Sequence, residues 1–528
     1  MKTIKILFFF LLTIFSFGSC KKFLTEVPKS QIPVDAYYKT AQEAQSAANY
    51  LYTQNNGPGS FFSVGDLYDG TNSFVFDNLS GMVNNLVAQD PSLRYFSNLT
   101  QNAVASGNYL DNIWANFYNS ISSANTIIEK VQHNTAIDSV TKSSVLATAR
   151  FYRGLDYYYL VRIFGALPLV LKPYESLTNL YLPRTSVDSV YKSITSDLLW
   201  AYTNGGLADK PMGSNGNLIS KGTVAIVLAE VYQTMAGYPL LKGQPYYTLA
   251  LNMANTILTS TGGYALFTSN TGSTAFDKLR LTANDQGSEY LFFMEYNPAI
   301  QQSAYPEYSF PNTFPLNLPN SNLQIQYTLV TQVWSPTTSL LGMYDSINDI
   351  RRHEKQFYFS SFNYSTSAGQ PASVKFSQTM PYRWYDSIAL FKTASSGKYT
   401  SVYRMADAYL IAAEASNELG QDPSPYLQPI LNRAYITTPV IPGDQPGRRN
   451  LILAERVREL SMEGHFWFDM LRTRLYPDAD AQHHVTFSAI IGHSNNRGQT
   501  YAAKDMLMPL PPTEMQRDPN LKPQNPGY

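Results

Sequence analysis

Apolar residues recur at helical spacing through most of the first half of the chain. From Val34 to Tyr52, alanines stand at 36, 41, 44, 47 and 48 and form a smooth face for close packing. Leu110 to Val131 places Ile113, Phe117, Ile121, Ala124 and Ile128 on one side. Val140 to Phe164 is rich in Ala, Tyr and Leu, and Gly165 closes it with Pro168 just beyond. At 1.5 Å per residue this helix runs about 37 Å. Ser186 ahead of Asp188 is a start signal for a helix reaching Tyr202. Lys221–Ala236 and Tyr246–Leu258 complete the series.

The pattern breaks between 262 and 400. Gly, Asn, Ser, Thr and Pro take over, with Tyr, Phe and Trp scattered among them. Tyr290–Tyr296 and Lys355–Ser360 read as strands, and the remainder as loop. A similar polar, aromatic-dotted insert runs over 55–108. Loop stretches this long inside a compact body are usually functional. Helices return at Val402–Leu419, stopped by Gly420, at Pro425–Ala434 and at Asn450–Leu475. The Pro-rich tail from Met506 to Tyr528 reads as extended. The expected fold is mainly α, a tetratricopeptide-like scaffold of helix pairs with large irregular loop inserts and minor strands. No clean 34-residue consensus repeats along the chain.

Composition narrows the function. With 39 Lys+Arg against 39 Asp+Glu the formal charge is zero, which argues against nucleic acid as a partner. Apolar residues make up 44%, enough for a large core. Tyr is the dominant aromatic at 39 residues, and it joins an apolar face to a polar tip. The lone cysteine, Cys20, excludes disulfide frameworks and Cys-based zinc sites. It follows a basic start at Lys2 and Lys5 and an apolar run from Ile6 to Phe17, too short to span a bilayer. Phe17-Gly18-Ser19-Cys20 resembles a relaxed bacterial lipobox, so residues 1–19 read as a lipoprotein signal peptide and Cys20 as the lipid-attachment site. Two or more acyl chains would make such an anchor stable.

Catalytic patterns are weak. There is no phosphate-cradling Gly-rich loop and no His-Glu-x-x-His helix, since His353-Glu354 runs on into Lys355-Gln356-Phe357. His483, His484 and His493 lack ligand spacing, and Asp66, Asp69 and Asp77 do not form a calcium loop. No metal or other cofactor is expected, although calcium stays compatible with the sequence. Glu414/Glu418 and Glu455/Glu459 are i,i+4 pairs within reach of Arg456, Arg458 and Arg472, and read as a structural ion network.

Several motifs together resemble the SusD/RagB family. They are Ala149-Arg150-Phe151-Tyr152-Arg153-Gly154 with Leu160-Val161-Arg162-Ile163-Phe164-Gly165, then Tyr403-Arg404-Met405-Ala406-Asp407-Ala408-Tyr409-Leu410. Glu455-Arg456-Val457-Arg458-Glu459-Leu460 with Glu463-Gly464-His465-Phe466-Trp467 follows, and the close is Gln524-Asn525-Pro526-Gly527-Tyr528. The resemblance implies one SusD-like body over 20–528. Its parts are an N-terminal helical half over 20–261 with the insert 55–108, a loop-rich ligand-facing insert over 262–400, and C-terminal helices and tail over 401–528. It also implies a non-catalytic outer-membrane lipoprotein displayed at the cell surface. Such a protein captures oligosaccharides or other polymer-derived nutrients and delivers them to a SusC-like TonB-dependent barrel. The alternatives are a surface glycoside hydrolase, using acids such as Asp66 and Asp345, and a structural lid without glycan affinity.

Sugar rings stack on aromatic faces, worth roughly 1–2.5 kcal/mol per ring from ~25 cal/mol/Å² of area covered. The candidate platforms are therefore loop aromatics: Tyr68, Phe74 and Phe76 in the first insert, and Tyr305, Tyr308, Trp334 and Trp384 in the second. Asn72 and Arg383 are candidate hydroxyl partners. Trp114, Trp200 and Trp467 fall in helical patterns and are expected in the core.

Overall fold

The structure is a computed structural model that describes residues 37–52, 73–85, 91–102, 107–174, 176, 178, 180–300, 302–303, 305–310, 317–326 and 334–528. Helix α1 (Ala41–Tyr50) opens on a reciprocal cap. The Thr40 hydroxyl accepts from the Glu43 N–H, and the Glu43 carboxylate accepts from the Thr40 N–H. The first insert holds α2 (Ser73–Ser80), β1 (Val83–Asn85) and α3 (Pro91–Ser97). Then comes the expected series: α4 (Gly107–Gln132), α5 (Ser139–Phe164), α6 (Val187–Asn204), α7 (Lys221–Ala236) and α8 (Gln244–Leu258), each packed on the next. Ser186 caps α6 as its sequence foretold, and Gly165, at φ 76°, ends α5. The Ala149–Gly154 motif has a fixed job here. Arg153 grips Asp197 of α6 with Nε at 2.7 Å and Nη2 at 2.8 Å, and its Nη1 reaches Asn125 of α4 at 2.7 Å. One guanidinium so ties three helices, in the two-pronged geometry that only arginine offers.

The second insert leaves the array after α8. It contains α9 (Ala275–Arg280), β2 (Tyr290–Met294), β3 (Trp334–Pro336), α10 (Thr338–Gly342), the hairpin β4 (Tyr358–Ser365) and β5 (Pro371–Pro381), and β6 (Thr400–Arg404). β6 pairs antiparallel with β2, Tyr290 opposite Arg404 and Met294 opposite Thr400. The chain therefore returns to where it left, and α11 (Met405–Glu418) packs directly on α8. The expected helix over Val402–Leu419 thus begins as strand. α12 (Ser424–Ala434) and α13 (Gln445–Glu459) follow. The expected single helix over Asn450–Leu475 is two, α13 and α14 (Phe466–Thr473), because Met462 (φ 58°) and Gly464 (φ 83°) adopt left-handed backbone between them. The hairpin β7 (Leu475–Ala479) and β8 (Val485–Ala489) comes next. The tail is not simply extended, since α15 (Pro512–Arg517) interrupts it. Trp114 and Trp467 are buried as expected. Trp200 is half-buried instead, with Arg150 over its ring at 4.8 Å.

Beneath the second insert lies a buried network of five guanidinium groups and five carboxylates. Arg351 pairs with Asp349, Glu455 and Glu459; Arg404 with Glu289, Glu459 and Glu463; Arg433 with Glu289 and Glu459; Arg383 with Glu463; and Arg458 with Glu455. Burial alone would raise the Glu459 pKa, but Arg433, Arg404 and Arg351 together hold it well below the carboxylate range, and Glu455 and Glu463 are lowered likewise. Arg404→Met would leave Glu289, Glu459 and Glu463 each one guanidinium short and should cost about 3–5 kcal/mol in denaturant unfolding. The depressed pKa values also set a direction with pH. The stability these three glutamates contribute is present above their unfolded value near ~4.3 and drains as pH falls below it. Carboxyl resonances of Glu455, Glu459 and Glu463 that titrate at or above the ordinary glutamate value of ~4.3 in the folded protein would contradict this.

Candidate binding surface

The two inserts meet at one short ladder. β1 pairs antiparallel with β3, with Val83 opposite Pro336, Asn84 opposite Ser335 and Asn85 opposite Trp334. The Thr337 N–H donates to the Met82 carbonyl at 3.0 Å and locks the junction. This brings most of the candidate aromatics into one region, yet as its floor. Trp334 and Trp384 are each 2% exposed, and Tyr305 is wedged between them, its ring 5.4 Å from the first and 4.7 Å from the second. Arg383 stacks 5.5 Å from the Trp384 ring while its Nη1 donates to Glu463 at 2.6 Å, so it belongs to the ion network. Phe76 packs on Phe468 of α14 at 5.3 Å, and Tyr308 is buried too. A stacking platform must offer a face to solvent, so Phe76, Tyr305, Tyr308, Trp334 and Trp384 support the surface rather than form it. Of Phe74 only the backbone, on α2, is described. Tyr68, Asn72 and Cys20 lie outside the described residues.

The floor contains an unusual acid. Asp77 of α2 is buried, which pushes its pKa up to about 7, and the hydrogen bond it takes from the Trp334 indole offsets this only in part. Glu307 is raised to about 7 by burial alone. Neither resembles a hydrolytic pair in reach of a groove, since Asp77 is sealed off. Asp345 instead caps its own turn, accepting from the Ile347 and Asn348 N–H groups at 2.9 and 3.2 Å. The paired glutamates of the helices are consumed as well: Glu414 by Arg472, Glu418 by Arg449, Glu455 by Arg458 and Arg351. Arg456 turns to Asp469. Among the described residues, no group of three or more His, Cys, Asp or Glu side chains is arranged to hold a metal ion.

A second surface escaped the sequence reading. The connector between α5 and α6 folds back over α4 and leaves a groove of about 410 Å³, inside the ~300–1,000 Å³ range of ligand clefts. Tyr174 and Tyr181 line it with roughly half of each exposed, at 49% and 53%. Asn119, Ser122 and Lys172 offer polar groups beside them, with Glu514 and Arg517 of α15 along the far edge. The only available signal was two tyrosines in a short Pro- and Lys-bearing connector, which reads equally as linkage.

Residues 325–528 match the model of the SusD family, and residues 65–204 match a model described as starch-binding associating with outer membrane. The chain belongs to the SusD/RagB family. SusD-like protein P25 of Formosa agariphila is 24% identical, over 96% of this chain and 96% of that one. A SusD-like protein of Bacteroides ovatus is 24% identical, over 88% of this chain and 81% of its own. Among solved structures, a SusD superfamily protein from Parabacteroides distasonis superposes with a TM-score of 0.80 at 25% identity, covering 92% of this chain and 99% of that one. A laminarin binding SusD-like protein gives 0.71 at 19% identity, over 93% and 100%. The SusD fold is therefore that of this chain. No described helix is long and apolar enough to cross a membrane.

Asp77→Asn tests the floor. A folded pKa raised above the unfolded value of ~3.9 means that Asp77 favours folding fully at low pH and loses that advantage as pH rises toward about 7. The neutral isostere should therefore stabilise the protein by up to about 4 kcal/mol at pH 8 and change little at pH 4. Equal effects at both pH values would refute the buried neutral acid.

Proposed function

We propose that the protein is a non-catalytic, cell-surface lipoprotein, anchored through Cys20 in the outer membrane, that captures an oligosaccharide and passes it to a SusC-like TonB-dependent barrel. The observation that carries this reading is the junction of the two inserts. One ladder joins strands from distant parts of the chain beside a cluster of packed aromatic rings, which supports a multi-point ligand site built from both inserts. Family membership supports it, together with the match of residues 65–204 to a family of starch-binding proteins associating with the outer membrane and the laminarin binding of a protein of the same fold. On this reading the floor positions and other residues of the inserts contact sugar; Tyr68 and Asn72 of the first insert are the proposed contacts. Two or three stacked rings give only millimolar to micromolar affinity, which suits a protein that must release its ligand.

The groove beside α4 supports a second placement of the same activity, because its two tyrosines are open where the floor aromatics are not. Affinity electrophoresis against a panel that includes laminarin and starch, with reducing ends assayed in the same samples, separates these readings. Retardation by one polysaccharide without product is expected, and EDTA should leave it unchanged. Tyr68→Ala with Asn72→Ala should weaken retention at least tenfold while Tyr174→Ala with Tyr181→Ala leaves it intact. The reverse pattern moves the site to the groove. Accumulating reducing ends would overturn the non-catalytic reading, and silence across the panel would favour a lid without its own glycan affinity.

A further inference from the structure

One cavity outside both surfaces is charged in a single sense. It lies where the last turns of α5 and α7 and the first turns of α6 meet α14, and it encloses about 120 Å³. On the same scale a water needs roughly 10–15 Å³, and an apolar cavity of about 150 Å³ takes benzene. Val161, Phe468, Leu471 and Leu507 are among its apolar lining. Arg162, Arg472 and Arg474 also line it, and no Asp or Glu does.

The three guanidinium groups differ in what holds them. Arg472 is satisfied, paired with Glu414 and with Asp469. Arg162 is buried and loosely held. Its Nη1 lies 3.4 Å from Glu230, its Nε 3.3 Å from the Tyr158 carbonyl, and its Nη2 has no hydrogen-bond partner. The rings of Tyr158 and Phe468, at 3.7 and 4.0 Å, sandwich the cation without supplying an acceptor. Arg474 forms no ion pair among the described residues, and its buried Nη1 has no partner. It sits over the half-exposed Tyr238 ring at 5.2 Å. Burial lowers its pKa, as expected of a cation short of a counter-charge. Arg474 also takes the left-handed conformation, φ 59°, at the end of α14, where glycine carries no steric penalty.

Unpartnered buried donors on two cationic groups cost several kcal/mol between them unless an acceptor arrives. We propose that this cavity binds a small monocarboxylate with a compact apolar body. Its carboxylate accepts from Arg162 Nη2 and Arg474 Nη1, and its body rests on Phe468, Leu471 and Leu507. Glu230 already faces Arg162, and Glu414 and Asp469 neutralise Arg472, so Arg474 alone brings an unpaired charge and a dianion such as sulfate suits the site poorly. The ligand is too small to be the oligosaccharide of the proposed function, and the inference does not depend on it.

Propionate is the probe and propionamide its neutral isostere, with binding to the purified protein followed by saturation-transfer NMR and titration calorimetry. Propionate is expected to bind at least tenfold more tightly than propionamide. Arg474→Gly should abolish that preference and leave the melting temperature unchanged or higher, because glycine relieves the left-handed strain. Polysaccharide retardation should be unaffected by the variant. Equal binding of propionamide would reduce the site to an apolar hole. Undiminished propionate binding in Arg474→Gly would show that the carboxylate does not use this guanidinium, no propionate binding at all would leave the cavity to water, and either result overturns the proposal.

Discussion

The second insert is held down by charge that cannot reach water. Arg351, Arg383 and Arg404 descend from it, while Arg433, Glu455, Glu459 and Glu463 rise from the C-terminal helices and the turn that follows them. Each ion left alone there would cost several kcal/mol, so every group requires its partner in place. Hydrophobic contacts tolerate sliding by an ångström or so, whereas forked guanidinium–carboxylate pairs do not. The network thus converts a long irregular excursion into a part with one position relative to the helices. The motifs that carry the family resemblance supply much of it, so they mark the scaffold rather than the ligand.

Upon that fixed base the two inserts are joined by a three-residue ladder and a slab of aromatic rings. Tyr305, Trp334 and Trp384 fill the space between loop and helix as core residues would. The buried rings and the ion pairs therefore supply rigidity to the base of both inserts. Loops carry function best when a stiff frame presents them.

Much of the scaffold was legible because helical periodicity is a local property. The faces of α4 and α5, the Ser186 start and the Gly165 and Gly420 stops all follow from residues within a few positions of each other. The break between α13 and α14 was hidden because apolar residues continue at helical spacing through it, and only the backbone at Met462 and Gly464 departs. Strand β5 was overlooked although its burial alternates along Pro371–Pro381, a period that the surrounding polar residues obscure. The loop aromatics were the hardest to place. Composition tells that Trp334 and Trp384 lie in a polar, Gly- and Pro-bearing stretch, but whether a ring faces water or a neighbour depends on partners such as Tyr305 and Asp77, far away in sequence. The groove tyrosines show the converse, since two rings in an unremarkable connector become exposed only because it folds back over α4.

The pairing of β2 with β6 has a consequence for how such proteins diversify. Everything over 295–399 begins and ends at adjacent points of one ladder, and α8 meets α11 as though nothing intervened. Closing a longer excursion from a fixed pair of ends costs only about 0.6 kcal/mol per doubling of length. The segment therefore behaves as an exchangeable cassette. Provided the arginines that reach into the charged base, the β3 strand and the packed rings are kept, the rest of the segment can be lengthened or shortened without rebuilding the helices.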